Sequence, residues 1–171
     1  DPRAAVLPSC YVFDVLRVRG GRTHTYCFHG CVSDDFAANA PLTEATSAAA
    51  KAYLPGHQPG TWQEGMSADP FEATWRLRRV AETLTAGDKT IPVPNVEEKM
   101  LGKQYDPEAP RKYTRLTLFG HGSEKVMVAN TWCYQARKYS WPMTYLQRTG
   151  DTELASVYPA LIEPYAGEPV I

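Results

Sequence analysis

The sequence has no long hydrophobic run. Its uninterrupted apolar stretches are only a few residues each, too short for any of them to span a bilayer. It has no excess of charge either. Eighteen Lys and Arg stand against nineteen Asp and Glu, a net charge of −1. That removes the bulk electrostatic case for nucleic-acid binding and leaves any polyanion site to a local patch. No nucleotide-binding glycine loop is present: Gly120-His121-Gly122-Ser123 lacks the phosphate-loop lysine and falls between strands, where it predicts a turn. No Gly-x-Ser-x-Gly nucleophile elbow and no Asn-x-Ser/Thr sequon occur. Nothing implies a cofactor or a metal. There is no initiating Met and no signal peptide, and the chain stops directly after apolar sequence at Val170-Ile171. Both ends are compatible with a processed chain or a fragment.

What the 171 residues do contain is an ordinary globular composition, 43% hydrophobic and 22% charged, with 14 Pro and 12 Gly. The length predicts one domain over 1–171 with a real core, and the Pro and Gly content predicts many turns and few long helices. Residues 10–19 are rich in β-branched and aromatic side chains, and so are residues 22–31; Gly20-Gly21 separates them. Two strand-like runs around Gly-Gly predict a two-residue hairpin, because mirror-image turns need positive φ at the loop residues. In that register Arg17 faces His24, Val15 faces Tyr26, and Phe13 faces Phe28. Cys10 stands opposite Cys31 in a non-hydrogen-bonded pair, roughly 4.5 Å apart at Cα, which predicts a disulfide and an oxidising, extracellular or periplasmic compartment. The alternative is two reduced thiols at a strand end, and Cys27 could instead pair with Cys133 across a sandwich.

Further strands are expected at 71–80, 113–119, 125–134, 143–148 and 153–163, with a short helix within 42–54. Two long irregular loops are expected, at about 32–70 and 84–110. Short strands with frequent turns and little helix predict an all-β fold, an antiparallel β-sandwich, partial or truncated.

The candidate chemistry sits on the hairpin. His24, Tyr26 and His29 are residue types that move protons as general base or acid. In the hairpin register His24 and Tyr26 share a face with Arg17, Arg19 and Arg22, which would bind a uronate carboxylate, with Tyr26 stacking on the sugar. The plainer reading is that these are ordinary strand residues around a solvated tip. Cys27 and Cys31 with His24 and His29 approach zinc-ligand spacing, but the second ligand pair is missing and strand alternation turns His24 away from Cys27.

The stretch Val12-Phe13-Asp14-Val15-Leu16-Arg17-Val18-Arg19-Gly20-Gly21, followed by His24-Thr25-Tyr26-Cys27-Phe28-His29-Gly30, resembles the later β-sandwich region of heparinase II/III-like polysaccharide lyases. Ser156-Val157-Tyr158, Glu163-Pro164-Tyr165, Pro169-Val170-Ile171 and the Thr74-Trp75-Arg76 strand resemble it in the same order. The resemblance implies an antiparallel β-sandwich that works with an α/α-toroid domain, and β-elimination on uronate-containing polysaccharide. It also implies an acidic polysaccharide as partner, together with the rest of the lyase or other copies of the chain. The 171 residues contain no toroid sequence and no His-x-His-x-Asp stretch. The main base and the family's metal site therefore have no counterpart here, and the chain alone is expected to be inactive. A non-catalytic carbohydrate-binding or self-assembling extracellular β-protein is the alternative.

Overall fold

The computed structural model describes residues 10–45, 57–86, 88–120, 122–133 and 136–171. The chain forms β1 (Val12–Arg19), β2 (Thr23–His29), β3 (Ser33–Ala38), β4 (Thr43–Glu44), β5 (His57–Met66), β6 (Phe71–Leu77), β7 (Glu82–Ala86) and β8 (Lys89–Val93). There follow α1 (Val96–Leu101), a turn of 3-10 helix (Gly102–Gln104), β9 (Lys112–Leu118), β10 (Lys125–Cys133), β11 (Ala136–Thr149) and β12 (Ala155–Ala166). Two five-stranded antiparallel sheets pack as a β-sandwich. Sheet I runs β1-β12-β9-β6-β3, sheet II runs β2-β11-β10-β5-β4, and β7-β8 form a separate hairpin. The expected fold class is the one observed.

Strand alternation builds the core. Phe71, Ala73 and Trp75 of β6, Leu116 and Leu118 of β9, and Tyr158 and Ala160 of β12 point inward from sheet I. Tyr26, Val126 and Leu146 meet them from sheet II. Trp75 is the main cross-sheet tie. Its Nε1 donates to the Pro142 carbonyl of β11 at 2.6 Å, and Phe28 and Phe36 pack edge-on against its ring. A second cluster on the outer side of sheet II gathers Trp62, Met127, Ala129 and Tyr145.

The chief departure from expectation is the pairing of β1 and β2. They do not form a hairpin. β1 pairs with β12 in sheet I, with Val15 opposite Pro159 and Arg17 opposite Val157. β2 pairs with β11 in sheet II, with Tyr26 opposite Leu146 and His24 opposite Arg148. The turn chemistry is as expected, since Gly20 and Gly21 take φ of 87° and 84°. Their N–H groups, however, bond to the Leu154 carbonyl (2.8 Å) and the Thr152 carbonyl (3.0 Å). Gly20-Gly21 is therefore the crest of an arch between the sheets, nested against the second arch that links β11 to β12. A hairpin would have given β1 and β2 one shared ladder; the stacked arches give each strand its own and bury His24 and Tyr26 on the inner face of β2.

The Cys10–Cys31 disulfide falls with the hairpin. Cys10 and Cys27 are free thiols, and Cys31 forms no disulfide. Cys10 precedes β1, which begins at Val12 opposite Ile162. Pro164, two residues on from Ile162, has no N–H with which to extend the ladder. Cys31 packs against the core instead, its thiol 3.5 Å from the Trp75 carbonyl. With Cys27 free, the Cys27–Cys133 alternative is not formed either.

The two long loops are also corrected. The span 32–70 contains β3, β4 and β5, and 84–110 contains most of the β7-β8 hairpin, α1 and the 3-10 turn. Of the helix expected within 42–54, Thr43–Glu44 is strand, and residues 46–54 lie outside the described residues, as does His121. No helix among the described residues is long and apolar enough to cross a membrane.

Candidate functional site

Of the residues singled out in the sequence, His24 and Tyr26 come together below the crest of the first arch, where the chain passes from β1 in sheet I to β2 in sheet II. His24, one residue into β2, turns inward and is 5% exposed. Its Nε2 lies 2.6 Å from the Gly20 carbonyl, which can only accept, so Nε2 carries the proton. Nδ1 is hydrogen-bonded to the Ser156 hydroxyl of β12 at 2.8 Å. Both ring nitrogens are thus engaged, one by the crest and one by the opposite sheet.

Tyr26 lies two residues on, on the same inner face, and is 4% exposed. Its hydroxyl donates to Asp14 Oδ2 of β1 at 3.3 Å, and its ring stacks on Tyr158 with centroids 5.6 Å apart. Burial, then the Asp14 charge and hydrogen bond, push the Tyr26 hydroxyl well above the usual tyrosine range, so it stays protonated. Tyr158 closes the network by donating to the His24 carbonyl at 3.1 Å. The Arg148 guanidinium, 5.9 Å above the Tyr158 ring, also donates to Glu124 at 2.6 Å.

His29 is separated from this pair by strand alternation. It is exposed on the outer face of sheet II, opposite Met143. There Nδ1 donates to the Gly30 carbonyl at 3.1 Å and the ring meets Trp141 edge-on at 4.5 Å. Of the three proton-transfer candidates, the structure joins His24 and Tyr26 inside the sandwich and sends His29 to the opposite side of its sheet. The zinc set is dispersed in the same way: Cys27 and His29 face outward, His24 faces inward, and Cys31 sits by Trp75. Desolvation raises the Cys27 thiol above its ordinary range, which disfavours the thiolate.

The arginines are corrected too. Arg17 does not face His24. Asp14 points inward to Tyr26, so Phe13, Val15, Arg17 and Arg19 point outward from sheet I. Arg17 and Arg19 are exposed there and Arg22 is exposed beyond the crest. Arg76 belongs to the same outer face, ion-paired with Asp35 at 3.4 Å, while Arg78 is buried and paired with Glu82.

The sequence reading missed a charged cluster under α1. Glu97 is 1% exposed. Arg79 grips it with two hydrogen bonds of 2.9 and 3.0 Å, and Lys112 makes a third ion-paired contact. Arg79 also donates to the carbonyls of Pro107 and Ala109. Burial raises the Glu97 carboxyl, but the hydrogen bonds and charges of Arg79 and Lys112 outweigh it and hold the group below the usual range. The one available signal was Asn95, an N-cap three residues before Glu98, and it marks the helix rather than the cluster.

Chemically, His24 and Tyr26 are committed to structure, with their polar atoms engaged within the sandwich and their rings away from solvent. The candidates left exposed are His29 on one outer face, and Arg17, Arg19 and Arg22 on or near the other. Comparison with protein-family models, with curated proteins and with solved structures gives no match to this chain.

Proposed function

We propose that the chain is the β-sandwich portion of a polysaccharide lyase of the heparinase II/III kind, acting on uronate-containing polysaccharide by β-elimination, outside the cytoplasm. One observation supports this reading above the others. Five of the residues that carry the resemblance are hydrogen-bonded at one arch: Asp14 to Tyr26, Gly20 to His24, and His24 to Ser156 of the matching later segment. A spacing pattern met by chance has no reason to coincide with one hydrogen-bonded arch.

Within that reading the sandwich is scaffold and polyanion contact. β-Elimination needs the uronate carboxylate neutralised, a base at C5 and an acid for the leaving oxygen. Arg17, Arg19 and Arg22 can supply contacts of the first kind. The base and acid are assigned to the toroid that the resemblance implies, because the inward His24 and Tyr26 are occupied.

The test is ultraviolet absorbance from the unsaturated uronate product on alginate, heparan sulfate and related polymers. The 171-residue chain alone is expected to give no increase, and a robust increase would overturn the assignment of chemistry to another domain. A second arm measures retention on the same polymers at low salt. Replacing Arg17 and Arg22 with Ala is expected to weaken it several-fold, with Lys103→Ala as the control. Retention equal to wild type would remove the arginines from any binding role and favour a sandwich that makes no carbohydrate contact.

A further inference from the structure

The four outer strands of the two sheets are unequal. β4 is two residues long. β3 carries a register irregularity between Ser33 and Asp35 and an exposed carboxylate at Asp35. β2 turns Thr23, Thr25 and His29 outward. Each is blunted by brevity, a bulge with charge, or polar side chains, the usual protections of a free sheet edge. β1 is neither short nor bulged, and its charges, Asp14 inward and Arg17 and Arg19 outward, are interleaved with apolar residues. Its register with β12 is unbroken from Val12 to Arg19 and it contains no proline. Both of its faces expose apolar side chains: Val12 (57%) and Leu16 on the inner side, Phe13 (60%) and Val15 on the outer side.

Its backbone is set for a partner strand. Pro159, opposite Val15, has no N–H, and its carbonyl accepts from Phe119 on the β9 side at 3.1 Å. A strand residue turns its N–H and C=O to the same side, and opposed residues in an antiparallel ladder alternate between bonded and non-bonded pairs. Val15, and with it Phe13 and Arg17, therefore turn their amide groups away from β12 toward the edge that has no neighbouring strand among the described residues.

We infer that β1 pairs antiparallel with β1 of a second copy of this chain about a two-fold axis at Val15, joining two five-stranded sheets into one. The side chains are self-complementary in this register. Val15 meets Val15, Phe13 of each copy stands across from Arg17 of the other, and Tyr11 across from Arg19. On the inner side Val12 meets Val18. The strand carries its aromatics at one end of the outer face and its cations at the other. Antiparallel pairing therefore places each guanidinium beside an aromatic ring, a favourable cation–π geometry. The contact is isologous and closes at two copies. It stands independently of the lyase reading.

Sedimentation velocity of the 171-residue chain from about 1 to 200 µM tests this, with circular dichroism confirming that each variant is folded. The wild type is expected to shift with concentration to a species of twice the 19.0 kDa chain mass. Val15→Lys sets like charges on the two-fold axis and is expected to weaken dimerisation at least about tenfold. Phe13→Arg is expected to do the same by facing Arg17, whereas Phe13→Glu, facing the same arginine, retains the dimer. Val157→Lys, one strand in from the edge, retains it too. A wild type that stays monomeric throughout overturns the inference, as does a dimer that survives Val15→Lys. Equal behaviour of Phe13→Arg and Phe13→Glu refutes the register, and loss of the dimer in Val157→Lys moves the contact from the strand edge to the sheet face.

Discussion

Single residues at the arch and beside Trp75 show where tolerance to change ends. A Cβ built on Gly30 would lie 2.6 Å from the Trp75 ring. The Gly30 carbonyl is also held, accepting from Trp141 Nε1 at 2.8 Å, so the backbone has little room to retreat. Gly30→Ala is expected to cost about 1–3 kcal/mol by overpacking, read as a lowered urea midpoint. His24→Phe keeps a ring but leaves the Gly20 carbonyl and the Ser156 hydroxyl without their partner. A loss of about 2 kcal/mol is expected, whether or not substrate is present. The cysteines give a simpler check. Cys10 and Cys27 are exposed and free, so both should react with a thiol reagent in the native, non-reduced protein. A mass lighter by two hydrogen atoms together with an unreactive Cys10 would restore the Cys10–Cys31 disulfide.

At the scale of elements, the arch depends on backbone that only glycine adopts without strain. Gly20 and Gly21 have no heavy atom within 4 Å of an added Cβ, so space is not the constraint there; φ is. Gly21→Val places a β-branched side chain at positive φ and is expected to cost about 1–2 kcal/mol, seen as a drop of a few degrees in Tm. The same two glycines explain why local reading fell short. Positive φ at both positions is what a tight hairpin needs, and it is equally what this crest needs. Which strands then pair is decided about 130 residues further on, by β11 and β12 and the turn between them. The spans read as loops failed for a different reason. β5 contains Pro59-Gly60, and β7-β8 is a polar hairpin in which Thr and Lys outnumber large apolar residues. Their strand character comes from neighbours rather than from alternation.

For the whole molecule, the Arg79–Glu97–Lys112 cluster ties α1 to the start of β9 and to the Pro107–Pro110 turn. Because the folded state holds Glu97 below its ordinary value of 4.5, its contribution is fully present above that pH and is lost as pH falls through the depressed folded value. Acid titration of stability is therefore expected to show a decline beginning near pH 4.5. Glu97→Gln leaves Arg79 and Lys112 facing an uncharged partner. It is expected to lower stability at neutral pH by roughly 3 kcal/mol and to flatten that acid decline. An unchanged acid slope would mean that Glu97 is not a controlling carboxylate.

The sequence by itself determined the class of the fold and most of its strands. Strand-like runs at 71–80, 113–119, 125–134 and 153–163 leave a chain of this composition few ways to bury its apolar faces except between sheets. It also singled out Gly20-Gly21 as a tight turn and His24 and Tyr26 as neighbours on one strand face, although it placed them on a hairpin. Only the tertiary structure decided what those residues do. Side-chain period 2 says that His24 and Tyr26 share a face, but not whether that face meets solvent or another sheet. Once β1 and β2 entered different sheets, the inner face became core. The histidine and tyrosine became ties across it, the arginines were turned to the far side of sheet I, and Cys10 lost its partner. Pairing between distant strands is a property of the assembled sheets, where two separate ladders outweigh one local hairpin, and no window of neighbouring residues contains that comparison.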